Sequence, residues 1–309
     1  MSRFGGHQTF YVRDGWLYKG LELLLKDPDL LTSDTAFDHL GVGKNMAKSI
    51  EHWLLATGIA ERGPSVKGRR TTPLGPTDLA RLIWENDKYL SHPETWWLLH
   101  TNLLHARDFA ETWYWFFNEY NADRFDREAC IRKLVAHATN DLPGNTPSAK
   151  TLERDFSCLA NTYATEVPGR NLDPEDDIAC PFRDLDLVVH YRESGNLAVQ
   201  RRRRSIDPSV FMYALERCLA AADSVFDEDS GATTTDIRFF DLSRLPNNPM
   251  RVFLLTTDDF FESLVDLERD HPQLGVRVVG LAGDRQIGIE RRPNIEWARS
   301  SVAPRKEVA

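Results

Sequence analysis

Apolar residues recur at helical spacing over 14–26, where Trp16, Leu17, Leu21, Leu24 and Leu25 fall toward one side and Asp27-Pro28 closes the run. This predicts a first helix. Ser33 or Asp34 can cap a short second helix through Leu40, Gly41 supplies a tight turn, and a third helix is predicted over 43–57, ended by Gly58. Residues 59–62 then read as a strand, 63–68 as a turn and 69–74 as the returning strand, before Thr77 opens another helix. Three helices and a hairpin predict a winged helix-turn-helix.

Beyond 92, Trp96, Trp97, Trp113, Tyr114, Trp115, Phe116 and Phe117 sit at helical distances, the pattern of helices packed through buried aromatics. Helices follow over 126–138 and 149–163, the second containing TLERDF, a weak helix-turn-helix word. Past Tyr163 the pattern turns to period two: 185–191 and 197–200 predict a hairpin, with a loop over 167–177 ahead of it. A helix from Pro208 to about 222 leads into a polar loop reaching 235. A last unit over 251–289 reads as short strand, helix 257–271, strand 276–279, Gly-rich turn and strand 286–289, with a frayed tail after Arg299. The prediction is a mainly α protein with small β hairpins, of the α+β class. Its domains are a winged helix-turn-helix at 1–92, a helical domain at 93–165, and a C-terminal α+β domain at 166–309 that ends in a winged-helix-like unit.

The net charge of −9 argues against general DNA affinity unless the cations cluster, because phosphate binding needs local positive charge. They do cluster. Between Gly41 and Arg81 stand Lys44, Lys48, Arg62, Lys67, Arg69, Arg70 and Arg81 against three acids. Steps of about 100° per residue on the third helix place Met46, Ile50, Trp53 and Leu54 on one side and Lys44, Lys48 and His52 opposite. Lys44, Asn45, Lys48 and His52, with Lys67, Arg69 and Arg70 of the wing, are therefore the predicted contacts to double-stranded DNA. The competing reading is a solvated face on a module used for protein contact. LGVGKN at 40–45 lacks the first glycine and the hydroxyl residue of a phosphate loop, so no nucleotide is expected. Four scattered cysteines form no CxxC pair, and no apolar run approaches a membrane span or a signal peptide. A cytoplasmic protein with reduced thiols and no membrane partner is the expectation.

Two constellations offer phosphodiester chemistry. His7 with Arg13 and Lys19 in a Gly-flanked segment can supply a general base and phosphate support, or His7 can simply hydrogen-bond the N-terminal arm onto the helices. Asp184 and Asp186 ahead of a hairpin can hold a divalent metal, Mg²⁺ or Mn²⁺, or can be a solvated strand start. Among Arg201–Arg204, strand alternation would put Arg201 and Arg203 on one face to grip phosphates; neutralising the acids at 175–177 is the alternative.

The words FGGHQTF at 4–10, RDGWLYKG at 13–20 and GVGKNMAKSIEHW at 41–53 together resemble a domain-of-unknown-function family found beside DNA phosphorothioation genes, the SspB-type component of Ssp systems. LLH at 98–100, CLANTY at 158–163, CPFRDL at 180–185 and AGDRQI at 282–287 extend the resemblance over most of the chain. It implies a role in inserting sulfur into the DNA backbone with partner proteins, a cysteine desulfurase among them, and a DNA-nicking activity for this component. Gln8 stands where the family word GHETF has glutamate, which removes an acid-base or metal role for that side chain. Three function classes follow: a metal-dependent nicking enzyme, a DNA-binding adaptor or transcription regulator without cleavage, and a protein-holding module.

Overall fold

Leu17, Leu21 and Leu24 are buried along α1 (Trp16–Lys26), which packs on α4 (Lys44–Ala56) through Ile50 and Leu54. The two helices approach closely because residue 20 is glycine: a Cβ there would stand 2.7 Å from Ile50 Cγ2 and 2.8 Å from Leu54 Cδ1. In this computed structural model, residues 3–64, 72–142, 146–167, 180–226, 234–281 and 284–302 are described. Asp27-Pro28 ends α1 as expected, but the same pair opens α2 (Pro28–Leu31), with Asp27 capping the Asp29 amide and Pro28 in the first turn. After α3 (Ala36–Leu40), Gly41 turns in the left-handed region at φ 64°. The strands β1 (Ala60–Arg62) and β2 (Leu74–Pro76) pair antiparallel, Ala60 opposite Pro76, and α5 (Asp78–Asn86) starts on the Thr77 cap.

The boundary expected near 92 lies inside one core. Trp53 of α4 is fully buried and meets Trp113 edge-on at 5.5 Å, from α7 (Arg107–Asn118), while Asn102 of α6 (Pro93–His105) donates to the Thr57 carbonyl at 3.1 Å. The aromatic run is core, as its spacing predicts: Trp96, Trp97, Trp113, Trp115, Phe116 and Phe117 are all buried.

The boundary expected at 165 is also bridged. A four-stranded sheet runs in the order β3 (Arg124–Phe125), β6 (Asn196–Val199), β5 (Val188–Tyr191), β4 (Ala164–Val167), with β4 parallel to β5 and the other pairs antiparallel. Because β3 precedes α8 (Arg127–Asn140) and α9 (Ala149–Tyr163), this sheet ties residues up to 199 to the helical middle. The chain accordingly forms two compact units, Met1–Gln200 and Arg201–Ala309.

The second unit begins with α10 (Pro208–Phe226) and holds the antiparallel sheet β7 (Thr234–Arg238), β9 (Asp284–Glu290), β8 (Val276–Leu281) in that order. Between β7 and β8 come α11 (Phe239–Leu242), α12 (Pro249–Val252) and α13 (Thr257–Asp270). The short strand expected from 251 is therefore a helix: Asn248 caps the Arg251 amide and Pro249 presets the first turn. The tail expected to fray after Arg299 continues α14 (Asn294–Val302), whose Trp297, Ala298 and Val302 are buried. Both units fall in the α+β class. Among the described residues, no helix is long and apolar enough to cross a membrane.

Candidate functional site

The arm at residues 3–10 is sewn to three helices. Phe10 presents its carbonyl to Trp53 Nε1 (3.0 Å) and Ser49 Oγ (3.4 Å) of α4; the Arg3 carbonyl accepts from the Glu111 amide of α7. The third anchor is Asp155 of α9, 1% exposed. Its Oδ1 accepts from the Gly5 amide (2.7 Å) and lies 2.9 Å from His7 Nε2, and its Oδ2 accepts from Thr112 Oγ1 (3.0 Å). The Thr9 amide donates to His7 Nδ1 at 3.1 Å, so Nδ1 carries no proton and Nε2 is the donor to Asp155. Both nitrogens of this buried ring are engaged. His7 also stacks on Trp53 at 6.2 Å and meets Trp113 edge-on at 5.8 Å.

Pinned in this way, the arm forms one wall of an open cleft of about 620 Å³. Gly5, His7, Gln8 and Thr9 line it from the arm, Asn45 from α4, and Thr151 and Arg154 from α9. Gln8 and Thr9 are exposed and both have positive φ, 52° and 71°. Two successive non-glycine residues there cost about 1–3 kcal/mol each, and such strain persists only where surrounding contacts over-determine it. Lys44, Asn45 and Lys48 are exposed at the start of α4, whose N-cap is Gly43 and carries no side-chain cap. Backbone amides and cations on one helical turn make this end of α4 favourable to anions.

His52 is not on that face. It is buried against His7, Trp53 and Phe109, and the tight approach of Gly6 to its ring leaves no room for a Cβ at residue 6, which would stand 2.5 Å from His52 Nδ1. Counting along an isolated helix places His52 opposite the core because the arm and α7, which cover it, are remote in sequence. Burial, with the neighbouring His7 adding to it, pushes the His52 pKa down to about 3. The folded form therefore gains stability from a neutral His52 that is complete above pH about 6.5 and is lost as the pH falls toward 3. Thermal midpoints measured from pH 7 to 4 are expected to fall less steeply in His52→Leu than in the parent; equal slopes would remove His52 from the acid limb.

The other predicted site residues lie elsewhere. Lys67, Arg69 and Arg70 fall outside the described residues. Arg13 stacks over the Phe10 and Trp16 rings, 5.6 and 5.3 Å from their centroids. Asp184 is exposed within a 3-10 turn at Pro181–Leu185, and Asp186 follows it at φ 51°, so the pair precedes β5 rather than starting it. Among the described residues no group of three or more His, Cys, Asp or Glu side chains gathers as a metal-ligand set. The strand alternation invoked for Arg201 and Arg203 does not hold, because β6 ends at Val199 and the arginines lie in irregular chain. Arg201 is partly exposed, and Arg203 pairs with Glu262 and Asp266 of α13. Arg203 thus neutralises carboxylates of α13; the acids at 175–177 lie outside the described residues.

Thr151 and Arg154 of the cleft, and the buried Asp155 that anchors its arm wall, are the residues that reading the sequence misses. Their signal is an acid on the apolar stripe of α9: Leu152, Phe156, Leu159 and Tyr163 are buried, and Asp155 shares their side. A buried carboxylate requires partners.

Residues 4–300 match the family model described as a protein of unknown function, DUF4007. The chain is similar to a magnesium ion-bound SspB crystal structure, with a TM-score of 0.80 and 25% identity over 97% of this chain and 86% of that one. It is similar to a second SspB crystal structure at a TM-score of 0.79 and 26% identity, with the same coverage. No curated protein matches it.

Proposed function

The chain belongs to the DUF4007 family, and from that premise and its likeness to SspB we propose that it is the DNA-engaging component of a bacterial DNA phosphorothioation system. The observation that carries this reading is the convergence of three separate sequence words on one cleft. FGGHQTF supplies the strained Gln8-Thr9 rim, GVGKN supplies Asn45 beside exposed Lys44 and Lys48, and TLERDF supplies Thr151 and Arg154. Amides, amide side chains and cations on one rim suit a phosphodiester backbone. The α1–α5 module with its β1–β2 hairpin is read as a winged helix whose α4 lies toward the duplex. Double-stranded DNA is the proposed ligand. The sulfur-transfer proteins of the system, a cysteine desulfurase among them, are the proposed protein partners.

Nicking is the second reading, favoured by the magnesium ion bound in a similar structure. His7 is then a positioning residue, since its acceptor nitrogen is taken by the Thr9 amide. Asp184 and Asp186 lack a third ligand among the described residues, so no metal-bound step is assigned to them. A supercoiled-plasmid assay with Mg²⁺, Mn²⁺ or chelator, run beside a gel shift, separates the readings. Open-circle product that is lost in folded Asp184→Ala, Asp186→Ala protein supports the nicking enzyme. A gel shift without open-circle product under any metal leaves an adaptor, and neither shift nor product contradicts the proposed function.

A further inference from the structure

The cleft lined by the arm, α4 and α9 holds two kinds of polar side chain. Arg154 on its wall and Lys44 beside it are exposed cations, and neither has a partner among the described residues. Gln8 from the arm and Asn45 from α4 are exposed carboxamides, and among the described residues neither carboxamide group has a hydrogen-bond partner.

These two kinds suit different parts of a nucleic acid. A phosphate oxygen accepts hydrogen bonds and donates none, so a cation is fully used against it. A carboxamide uses only its NH₂ there, and its carbonyl is left facing negative charge. Both halves are used only by an edge that presents a donor and an acceptor side by side. In the major groove of a duplex that edge belongs to adenine, with N6–H donating and N7 accepting. Guanine presents two acceptors and suits a guanidinium, cytosine presents a donor alone, and thymine an acceptor beside a methyl group.

Both carboxamides are also mounted on fixed backbone, as a base reader must be. The Gln8 amide donates to the Gly5 carbonyl at 3.1 Å, and the next two amides are tied to His7, that of Thr9 to Nδ1 (3.1 Å) and that of Phe10 to the carbonyl (2.9 Å). His7 is itself held by Asp155, so the Gln8 backbone stands on a buried ring. Asn45 is the second residue of α4, in the turn that a recognition helix presents to base edges.

We propose that Gln8 and Asn45 are the base-reading residues of this cleft and that each selects adenine through paired hydrogen bonds to N6 and N7, while Lys44, Lys48 and Arg154 hold the backbone. The inference rests on the DNA reading of the same cleft and adds to it a sequence preference carried by uncharged side chains.

The test is selection by the full chain from a randomised duplex library, followed by anisotropy with the selected duplex. The same duplex is then measured with 7-deazaadenine, which lacks the N7 acceptor, at one selected adenine at a time. The parent is expected to enrich adenine and to bind the 7-deaza duplex about tenfold more weakly, the scale of one good base contact. In Asn45→Ala and in Gln8→Glu this ratio is expected to fall toward one, each variant at its own adenine. Selection with Gln8→Glu is expected to replace one adenine by cytosine, because a carboxylate only accepts. Lys44→Glu, Lys48→Glu is expected to weaken both duplexes alike and keep the ratio, which separates base reading from backbone affinity. Duplex binding without adenine enrichment, a parent ratio near one, or the full ratio retained in Asn45→Ala and Gln8→Glu each overturns the inference and leaves the DNA reading standing. No binding to any duplex overturns both.

Discussion

Asp155→Ala is expected to lower the free energy of unfolding by about 3–5 kcal/mol, because each buried donor left without its acceptor costs about 1–3 kcal/mol. Three groups lose their acceptor at once: the Gly5 amide, His7 Nε2 and Thr112 Oγ1. His7 is 1% exposed, so its Nε2–H is left without an acceptor in the core. The strained Gln8-Thr9 rim depends on the same anchor, because the Thr9 amide is held by the other nitrogen of that ring. The arm should therefore loosen before the helices melt. Urea unfolding measures the first effect, and limited proteolysis of the native protein measures the second. A loss below about 1 kcal/mol, or an arm no more cleavable than in the parent, contradicts the anchoring role.

Lys44→Glu, Lys48→Glu is expected to weaken duplex DNA binding by about a hundredfold at moderate salt and to flatten the salt dependence by about two units of slope. Both side chains are exposed near the start of α4, so the double change should leave the fold intact. Stability effects at such surface positions are usually within about 0.5 kcal/mol. Anisotropy with labelled duplex across a salt series reads both quantities. Unchanged affinity and slope would move the DNA face away from α4.

Much of the first unit is legible in the sequence because its elements announce themselves locally. The 3.6-residue recurrence of Trp16, Leu17, Leu21 and Leu24 and of Met46, Ile50 and Trp53 marks α1 and α4, and the Leu197-to-Val199 return marks β6. What escapes are elements whose pattern depends on a distant partner. Thr234–Arg238 reads Thr, Thr, Asp, Ile, Arg and is a strand because β9 pairs with it. Ala164–Val167 is too short to show a period and is a strand because it lies parallel to β5. The domain boundaries at 92 and 165 fail for a related reason: a change in composition marks where the chain turns, whereas Trp53 against Trp113 and Arg124 opposite Ala198 decide what packs together.

The candidate site was legible in part. Lys44, Asn45 and Lys48 are exposed as the helical count requires, while His52, on the same count, is covered by the arm and by Phe109. His7 was visible as an unusual residue, but whether it is an open base or an anchored ring depends on Asp155, which lies 148 positions away. No local pattern carries that information.

Hydrogen exchange of the native protein, with and without duplex DNA, tests the central claim most directly. If DNA seats in the cleft, amides in 5–10, 44–48 and 151–154 should slow together on adding duplex, because the three segments line or flank one wall each of the same site. Protection confined to other segments, with these three unchanged at saturating DNA, would contradict it.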